Sequence, residues 1–169
     1  PNKIKSVIGI FKAYTTRVGS GPFPTELDNE IGYNIRKIGN EYGATTGRDR
    51  RCGWLDLVAL KYSITINGVT ELNLMKADVL SGFDTIKICI AYNIDGMETD
   101  TLPFDLNLGN IKPIYKSFKG WTEDISKITK EQELPIEVHN YVSFIEEFVG
   151  VPIKLISVGP DRSETIYRI

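Results

Sequence analysis

The sequence predicts an α/β fold with a mixed sheet and flanking helices. Segments with the two-residue alternation of strands alternate with segments whose apolar residues recur at helical spacing, an order typical of α/β proteins. The 169 residues are 41% hydrophobic and 25% charged, which is enough for one compact unit with a buried core. No repeat, low-complexity tract or composition shift marks a linker, so we take residues 1–169 as one unit.

The first part of the chain is predicted to hold one strand and two helices. Residues 4–12 are rich in β-forming side chains and lead into a loop at 14–26 that is dense in turn formers. Apolar residues recur at helical spacing from Asp28 to Glu41, with Gly43 as the expected C-cap. A second amphipathic helix is predicted over 54–66. The expected buried positions are Ile31, Ile35, Ile38, Leu57, Leu60 and Ile64.

The middle of the chain is predicted to be rich in strands. Residues 70–75 form a short strand, and residues 85–92 alternate cleanly between apolar and polar side chains. Asp95-Gly96 is a strong hairpin signal, and it predicts a return strand over 97–101. Residues 102–133 show no clear period, so loops and a short helix are expected there.

The C-terminal part contains the clearest helix of the sequence, predicted over 136–149. A short apolar strand follows over 152–157, and a terminal strand is expected over 165–169. One face of the helix carries Val138, Tyr141, Val142, Ile145 and Phe148.

Charge and cysteine content exclude several classes of function. The net charge of −2 leaves no basic surplus for general nucleic-acid binding, so any anion site must be local. No apolar run approaches the about 20 residues that a membrane helix needs. Cys52 and Cys89 are far apart without metal-ligand spacing, and we expect free, buried thiols in a reducing cytoplasm. The chain starts at Pro1, without methionine, in residues typical of a strand, so we expect a fragment of a longer protein.

The most informative segment is the basic, glycine-rich stretch Gly43–Gly53. Three glycines allow positive φ and close backbone approach, while Thr45, Thr46 and three arginines at 48, 50 and 51 offer donors to oxyanions. This composition predicts a mobile loop that closes on a small, highly charged anion. The alternative is a connection between helices whose arginines pair with surface carboxylates.

Lys76-Ala77-Asp78 follows a predicted apolar strand and suits recognition of guanine. A carboxylate can accept two parallel hydrogen bonds from N1–H and the 2-amino group of guanine, whereas adenine offers no matching donor pair at that edge. The lysine stem can lie along the base while its charge stays in solvent. Taken alone, the motif is also typical of a solvated turn.

A second candidate, Ser157–Arg162, also follows an apolar strand. Ligands of open α/β sheets bind beyond the carboxyl ends of strands, so Ser157 and Gly159 could share a pocket with the lysine-aspartate motif. A tight turn is the alternative. The 12–26 segment contains Arg17 with two threonines, although most of that segment is expected to be structural.

Together these segments resemble the C-terminal part of the adenylosuccinate synthetase family, in the order of that family and through nearly the whole chain. The resemblance implies the C-terminal part of a ligase fold that is similar to P-loop NTPases. The segments that carry it are Lys12–Glu26, Gly39–Arg48, Arg50–Asp56, Lys76–Leu80, Gly120-Trp121 and Ser157–Arg162.

The resemblance implies a ligase that joins inosine monophosphate (IMP) to L-aspartate with GTP and Mg²⁺, through a 6-phosphoryl intermediate. By that resemblance, Arg48 and Arg50 hold the aspartate carboxylates and Thr45 helps to seat them. Arg48 and the backbone at Val18 would also reach the ribose of IMP. The implied aspartate and IMP residues are Val18, Ala44, Thr45, Thr46, Gly47, Arg48, Asp49 and Arg50.

The resemblance also unites the two strand-end motifs in one guanine pocket. Only the backbone of Ala77 could contact a ligand there, because its side chain is a methyl group. The implied GTP-binding residues are Arg50, Lys76, Ala77, Asp78, Ser157, Val158 and Gly159.

Several parts of the family's active site are not in this sequence. Its phosphate loop, catalytic aspartate and histidine belong to the N-terminal part, so no catalytic or metal-binding residue is predicted here and Mg²⁺ would be held mainly by that part. We expect His139 to be structural and the chain alone to be inactive. The family implies a cytoplasmic homodimer that binds neither nucleic acid nor membrane. The alternative is a stand-alone guanine-nucleotide-binding module without catalysis.

Overall fold

The computed structural model describes residues 3–106 and 110–168. Two short 3-10 helices lie at Ala77–Leu80 and Glu131–Glu133. The helices are α1 (Glu30–Ile38), α2 (Leu57–Asn67) and α3 (Ile136–Val149). The strands are β1 (Ile8–Lys12), β2 (Thr15–Arg17), β3 (Arg51–Gly53), β4 (Leu55–Asp56), β5 (Glu71–Met75), β6 (Thr85–Ile94), β7 (Met97–Thr99), β8 (Ile111–Lys119), β9 (Ile153–Ser157) and β10 (Thr165–Tyr167).

The chain forms two compact units, each built from separate segments. The first unit comprises Pro1–Ala13, Leu60–Ile86 and Phe118–Ile169, and the second comprises Tyr14–Ala59 and Lys87–Ser117. Mixed sheets and helices occur in both, which confirms the predicted α/β class.

A four-stranded mixed sheet in the order β1-β5-β9-β10 forms the first unit. The pairs β1-β5 and β5-β9 are parallel, and β10 runs antiparallel to β9. Leu72 and Leu74 of β5 are buried while their neighbours along the strand are less so, which is the predicted alternation. Since β5 and β9 are parallel neighbours, their carboxyl ends lie at the same edge of the sheet.

Helix α3 has the predicted bounds and covers the core of the first unit with its apolar face. Tyr141 is buried, donates a hydrogen bond from its hydroxyl to the carbonyl of Ala13 at 2.6 Å, and meets the ring of Trp121 edge-on at 5.5 Å. Phe148 is only half-buried, and the ammonium group of Lys61 lies 5.3 Å from its ring centre. Gly150 ends the helix with a φ of +70°, where a side chain would be strained.

The second unit contains the antiparallel pair β2-β3 and a sheet of β4, β6 and β7, with β8 paired to β6. The predicted hairpin joins β6 to β7, and Asp95 and Gly96 both have positive φ, as a type I′ turn requires. Strand β8 was not predicted. It lies where only loops and a short helix were expected, because Pro113 interrupts its alternation, and β8 tolerates proline since it is an edge strand.

Two boundaries of predicted helices are wrong for identifiable reasons. Helix α1 ends at Ile38 with Gly39 as its C-cap, whereas the prediction ran to Glu41 with Gly43 as the C-cap. Asn40 follows Gly39 in the left-handed conformation and turns the chain away from the helix. Helix α2 begins at Leu57 rather than Trp54, because the Asp56 carboxylate caps it by accepting the amide of Ala59 at 3.1 Å.

The predicted buried face of α1 is also narrower than expected. Ile35 is fully buried, whereas Ile31 and Ile38 are 38% and 53% exposed. In α2, Leu57 and Ile64 are buried and Leu60 is half-buried.

Cys52 and Cys89 are both buried and neither forms a disulfide, which confirms that part of the cysteine prediction. Burial raises the pKa of the Cys89 thiol to about 12, and the negative charge of Asp56 acts in the same direction. Within the described part of the chain, no helix combines the length and apolarity needed to cross a membrane. The expected end of the last strand at residue 169 lies outside the described residues, as does Pro1.

Candidate functional site

Two of the predicted motifs meet at one edge of the sheet in the first unit. Lys76–Asp78 follow the end of β5 and Ser157–Gly159 include the end of β9, and these strands are adjacent and parallel. In such sheets ligands bind beyond the carboxyl ends of the strands. We call these six residues the strand-end site.

Lys76 turns the chain out of the sheet. Its backbone is left-handed, with φ 60° and ψ 39°, and it leads directly into the 3-10 helix Ala77–Leu80. Ala77 is 1% exposed, so its methyl group belongs to the core and a ligand could meet only its backbone. This turn places Asp78 just beyond the end of β5.

Asp78 has an incompletely satisfied carboxylate. The Oδ1 atom is buried and finds no hydrogen-bond donor among the residues that the structure describes. Burial raises the pKa of Asp78 from its ordinary value of 3.8, while the nearby charge of Lys76 opposes that shift. A buried, unpaired carboxylate oxygen is costly, so a ligand with N–H donors would relieve that cost.

The β9 side of the strand-end site is built mainly from backbone. Ser157 is buried, and its hydroxyl donates to the Gly159 carbonyl at 2.9 Å. The amide of Val158 donates to the carbonyl of Glu164 at 2.9 Å. A β-carbon at Gly159 would lie 2.3 Å from the Glu164 carboxylate, so glycine keeps this turn compact.

The basic segment of the second unit forms an exposed turn whose two ends are paired with each other. Residues 44–49 are exposed, and Tyr42 and Asp49 form an antiparallel bridge below them. The amide of Gly47 donates to the carbonyl of Gly43 at 2.8 Å, and Gly47 has a φ of +63° with open space where a side chain would be. We call Ala44–Arg50 the substrate loop, after the role that the resemblance implies for it.

The two threonines of the substrate loop differ in their local contacts. Thr46 accepts the amide of Arg48 at 3.3 Å, and its Oγ1 atom would lie 2.8 Å from a β-carbon at Gly43. Thr45 is exposed. Val18 is 66% exposed and follows β2, whose residue Arg17 pairs with Arg51, so the register brings Val18 level with the end of the loop.

The arginines of the basic segment differ sharply in their surroundings. Arg48 is exposed, and its guanidinium has no carboxylate partner within residues 3–106 and 110–168. Arg50 donates to the buried carboxylate of Glu41 at 2.8 Å. Asp49 accepts from Arg36 at 3.1 Å.

Arg51 does not belong with the anion-binding group that its sequence context suggested. It lies in β3, pairs through two hydrogen bonds with Glu26, and donates to the carbonyls of Gly19 and Gly21 at 2.9 and 2.6 Å. These acceptors engage most of the N–H donors of its guanidinium, and the bond to Glu26 holds the pKa of Arg51 above its usual range. Arg51 therefore joins β3 to the loop that follows β2.

Sequence patterns missed the carboxylate that anchors the loop. Glu41 is fully buried and accepts hydrogen bonds from Tyr14 and Arg50, at 2.6 and 2.8 Å. Glu41 is the last residue of the predicted first helix, where neither periodicity nor charge distinguishes a buried carboxylate from a solvated one. Only its position in the fold shows that it is buried.

Metal-ligating side chains do not cluster in the described part of the chain, where no group of three or more histidine, cysteine, aspartate or glutamate residues could hold an ion. His139 lies within α3 and is half-buried.

Comparison with known proteins supports the resemblance seen in the motifs. A family model described as adenylosuccinate synthetase matches residues 1–166. The adenylosuccinate synthetases of Flavobacterium johnsoniae and Christiangramia forsetii are 57% and 59% identical to the chain over 168 residues. Those residues are 99% of this chain and 40% of each relative, so the chain spans about 40% of the length of the curated relatives it matches.

A solved structure gives the same result. The fully ligated adenylosuccinate synthetase of Plasmodium falciparum matches with a TM-score of 0.95 and 41% sequence identity, over 99% of this chain and 41% of that one. This likeness agrees with the predicted ligase fold related to P-loop NTPases. On these matches, the chain belongs to the adenylosuccinate synthetase family.

Proposed function

We propose that this chain is part of a GTP-dependent ligase that joins IMP and L-aspartate to give adenylosuccinate. The observation that carries the proposal is the buried, unpaired Oδ1 atom of Asp78 at the end of a parallel strand, in a chain of this family. The orphaned carboxylate oxygen is the acceptor that a guanine edge requires.

The strand-end site is proposed to bind the guanine of GTP. Asp78 would accept N1–H and the 2-amino group, and the stem of Lys76 would lie along the base with its charge in solvent. Ala77, Val158 and Gly159 would contribute backbone groups, since Ala77 and Val158 have buried side chains and Gly159 has none. Ser157 would complete this surface.

The substrate loop is proposed to bind aspartate and the ribose of IMP. Arg48 is exposed and the side chain of Arg50 is 34% exposed, so both can offer donors to a dicarboxylate. Thr45 and Thr46 would add hydroxyls, and Ala44, Gly47 and Asp49 would shape the backbone. We further propose that the backbone of Val18 contacts the IMP ribose and that Arg50 also contacts GTP.

Mg²⁺ would stabilise the negative charge that develops during phosphoryl transfer. The described residues offer no suitable ligand cluster, so we propose that the ion is bound mainly by parts of the protein beyond these residues. We also propose a homodimer at full length and, because neither cysteine forms a disulfide, a cytoplasmic location.

A stand-alone guanine-nucleotide-binding module is the second candidate, because the strand-end site alone would suffice to bind the base. The two candidates differ in turnover, since the module would bind GTP without forming product. They also differ in the coding sequence upstream of residue 1, where the ligase requires a glycine-rich phosphate loop in frame.

The test is an assay of the full-length protein with IMP, aspartate, GTP and Mg²⁺. We expect adenylosuccinate and GDP to appear in equal amounts, with no product when any one component is omitted and little when ATP replaces GTP. Chromatography of the nucleotides measures both products. Tight GTP binding without product would favour the module, and failure to bind GTP would contradict both candidates.

We expect GTP binding to weaken as the pH falls, and we expect this weakening to begin at a higher pH than the one at which an ordinary aspartate becomes protonated. Guanine needs the ionised carboxylate, and burial raises the pKa of Asp78 above 3.8 in the unliganded protein. Protonation therefore competes with GTP from a higher pH than it would at an exposed aspartate. Calorimetric Kd values measured from neutral pH down to the acid limit of the folded state check this expectation.

The matched control for this pH dependence is Asp78→Asn, which cannot titrate at that position. The ratio of the two Kd values removes the titration of the nucleotide itself, and circular dichroism shows where the fold is retained. A ratio that does not change with pH would contradict the role of Asp78.

A further inference from the structure

We infer that Glu41 is a positioning residue, and that a buried Tyr14–Glu41–Arg50 chain of hydrogen bonds presets the guanidinium of Arg50 before substrate binds. The inference rests on the proposed function for the ligand that Arg50 binds, but the hydrogen bonds among the three residues are independent of that proposal. All three residues belong to the second unit.

Both oxygens of the Glu41 carboxylate are engaged. The hydroxyl of Tyr14 donates to Oε1 at 2.6 Å, and Nη1 of Arg50 donates to Oε2 at 2.8 Å. Glu41 is 0% exposed and Tyr14 is 1% exposed. Hydrogen bonds to an ionised group in such a setting are short and strong, so the carboxylate has little freedom to move.

The absence of a side chain at Gly39, just after α1, leaves room for the Tyr14 hydroxyl in this arrangement. A β-carbon at Gly39 would lie 2.4 Å from the Tyr14 hydroxyl oxygen, so any larger residue would displace that hydroxyl. The left-handed backbone of Asn40 follows directly and brings the chain to Glu41. The carboxylate is thus held by the helix end and by the tyrosine as well as by Arg50.

The backbone of Arg50 is held as well. Its amide donates to the Glu41 carbonyl at 3.0 Å, and its own carbonyl accepts from Nε of Arg36 at 2.8 Å. Glu41 therefore binds Arg50 through both main chain and side chain. These contacts remove most of the rotational freedom that an arginine would otherwise lose on binding a ligand.

The N–H donors of Arg50 that do not bind Glu41 are available for a ligand. The side chain is 34% exposed, and the described residues offer no hydrogen-bond acceptor to its Nε and Nη2 atoms. Arg48, two residues earlier in the same loop, has no carboxylate partner among the described residues. The two arginines therefore differ: the side chain of Arg50 is held in one conformation by Glu41, whereas the side chain of Arg48 must be ordered by the ligand.

The experiment is a double-mutant cycle in the full-length enzyme with Glu41→Gln and Arg50→Lys. Glutamine keeps the shape of the side chain and an acceptor for Tyr14 but removes the charge that holds Arg50. We expect Glu41→Gln to raise the KM for aspartate roughly tenfold, with kcat changed by less than about twofold. Steady-state kinetics with aspartate as the varied substrate measure both constants.

Coupling between the two changes separates positioning from a general structural role. If Glu41 acts through Arg50, adding Glu41→Gln to Arg50→Lys should raise the KM for aspartate by less than about twofold more. Tyr14→Phe, which removes one hydrogen bond and fills the same space, should give a smaller rise of the same kind. The control is Glu137→Gln, which removes an ion-paired carboxylate at the side of Lys119 and should leave the KM for aspartate unchanged.

Several outcomes would overturn the positioning role. One is an unchanged KM for aspartate in both Glu41→Gln and Tyr14→Phe, and another is full additivity with Arg50→Lys. If Glu41→Gln does not fold, the same cycle with Tyr14→Phe decides. If Arg50→Lys raises the KM for aspartate and Glu41→Gln does not, only the positioning role of Glu41 is contradicted. If Arg50→Lys leaves the KM for aspartate unchanged, the proposed aspartate site itself is contradicted.

Discussion

Asp78→Asn in the full-length enzyme is expected to reduce the preference for GTP over ATP by roughly 100-fold. The change replaces one of two carboxylate oxygens with an amide donor that would face the donors of guanine. Each hydrogen bond to a charged group contributes about 1.5–3 kcal/mol, so losing about 3 kcal/mol in total corresponds to roughly two orders of magnitude. The ratio of kcat/KM values for the two nucleotides measures the preference.

The nucleotide XTP provides a matched rescue for this variant. Xanthine keeps N1–H but carries a carbonyl oxygen in place of the 2-amino group, so the amide of asparagine can donate where the carboxylate could not. We therefore expect Asp78→Asn to use XTP better than the wild-type enzyme does. Unchanged selectivity for GTP in a folded variant would contradict the strand-end site as the guanine pocket.

Arg50→Lys is expected to raise the KM for aspartate roughly 30-fold with a smaller effect on kcat. Lysine keeps the charge but replaces a planar guanidinium with a single ammonium, so it cannot bind a carboxylate through two parallel bonds. It also cannot bind Glu41 and at the same time present a planar pair of donors to a ligand. A loss of about 2 kcal/mol in charge-assisted hydrogen bonding corresponds to that factor. Steady-state kinetics with varied aspartate check it.

Arg51→Lys is the control for this substitution, because it makes the same chemical change at the next residue. Arg51 is bound to Glu26 and to two backbone carbonyls, so we expect a lower melting temperature and an unchanged KM for aspartate. Equal effects of the two changes on the KM would mean that Arg50 has no special role toward aspartate.

The fold was predictable where the local pattern was strong. Helix α3 had its bounds right, because its apolar residues recur at helical spacing and Gly150 marks its end. The hairpin at Asp95-Gly96 was equally clear, since few residues other than asparagine, aspartate and glycine accept its positive φ values. Strand β8 was not found because Pro113 and scattered lysines hide its alternation, and it is defined by pairing with β6.

The arginines of the basic segment Gly43–Gly53 show why the composition of a segment does not separate the roles of its residues. Arg48, Arg50 and Arg51 are chemically identical and almost adjacent, so the composition of the segment predicted one shared role for them as anion donors. Only the resemblance named Arg48 and Arg50 without Arg51. In the structure Arg51 is held by Glu26, Arg50 by Glu41, and Arg48 by no carboxylate of the described residues. Their partners lie 25 and 9 positions away along the chain, which no local pattern reveals.

The sequence by itself determined the α/β class, the family and the residue types at each candidate site, because these depend on local periodicity and on the identity of short motifs. The tertiary structure alone decided that Asp78 has an unpaired buried oxygen, that Glu41 is buried, and that Arg51 is held by Glu26. The physical reason is that burial and hydrogen-bond satisfaction are set by residues distant in sequence, so they exist only once the chain has folded.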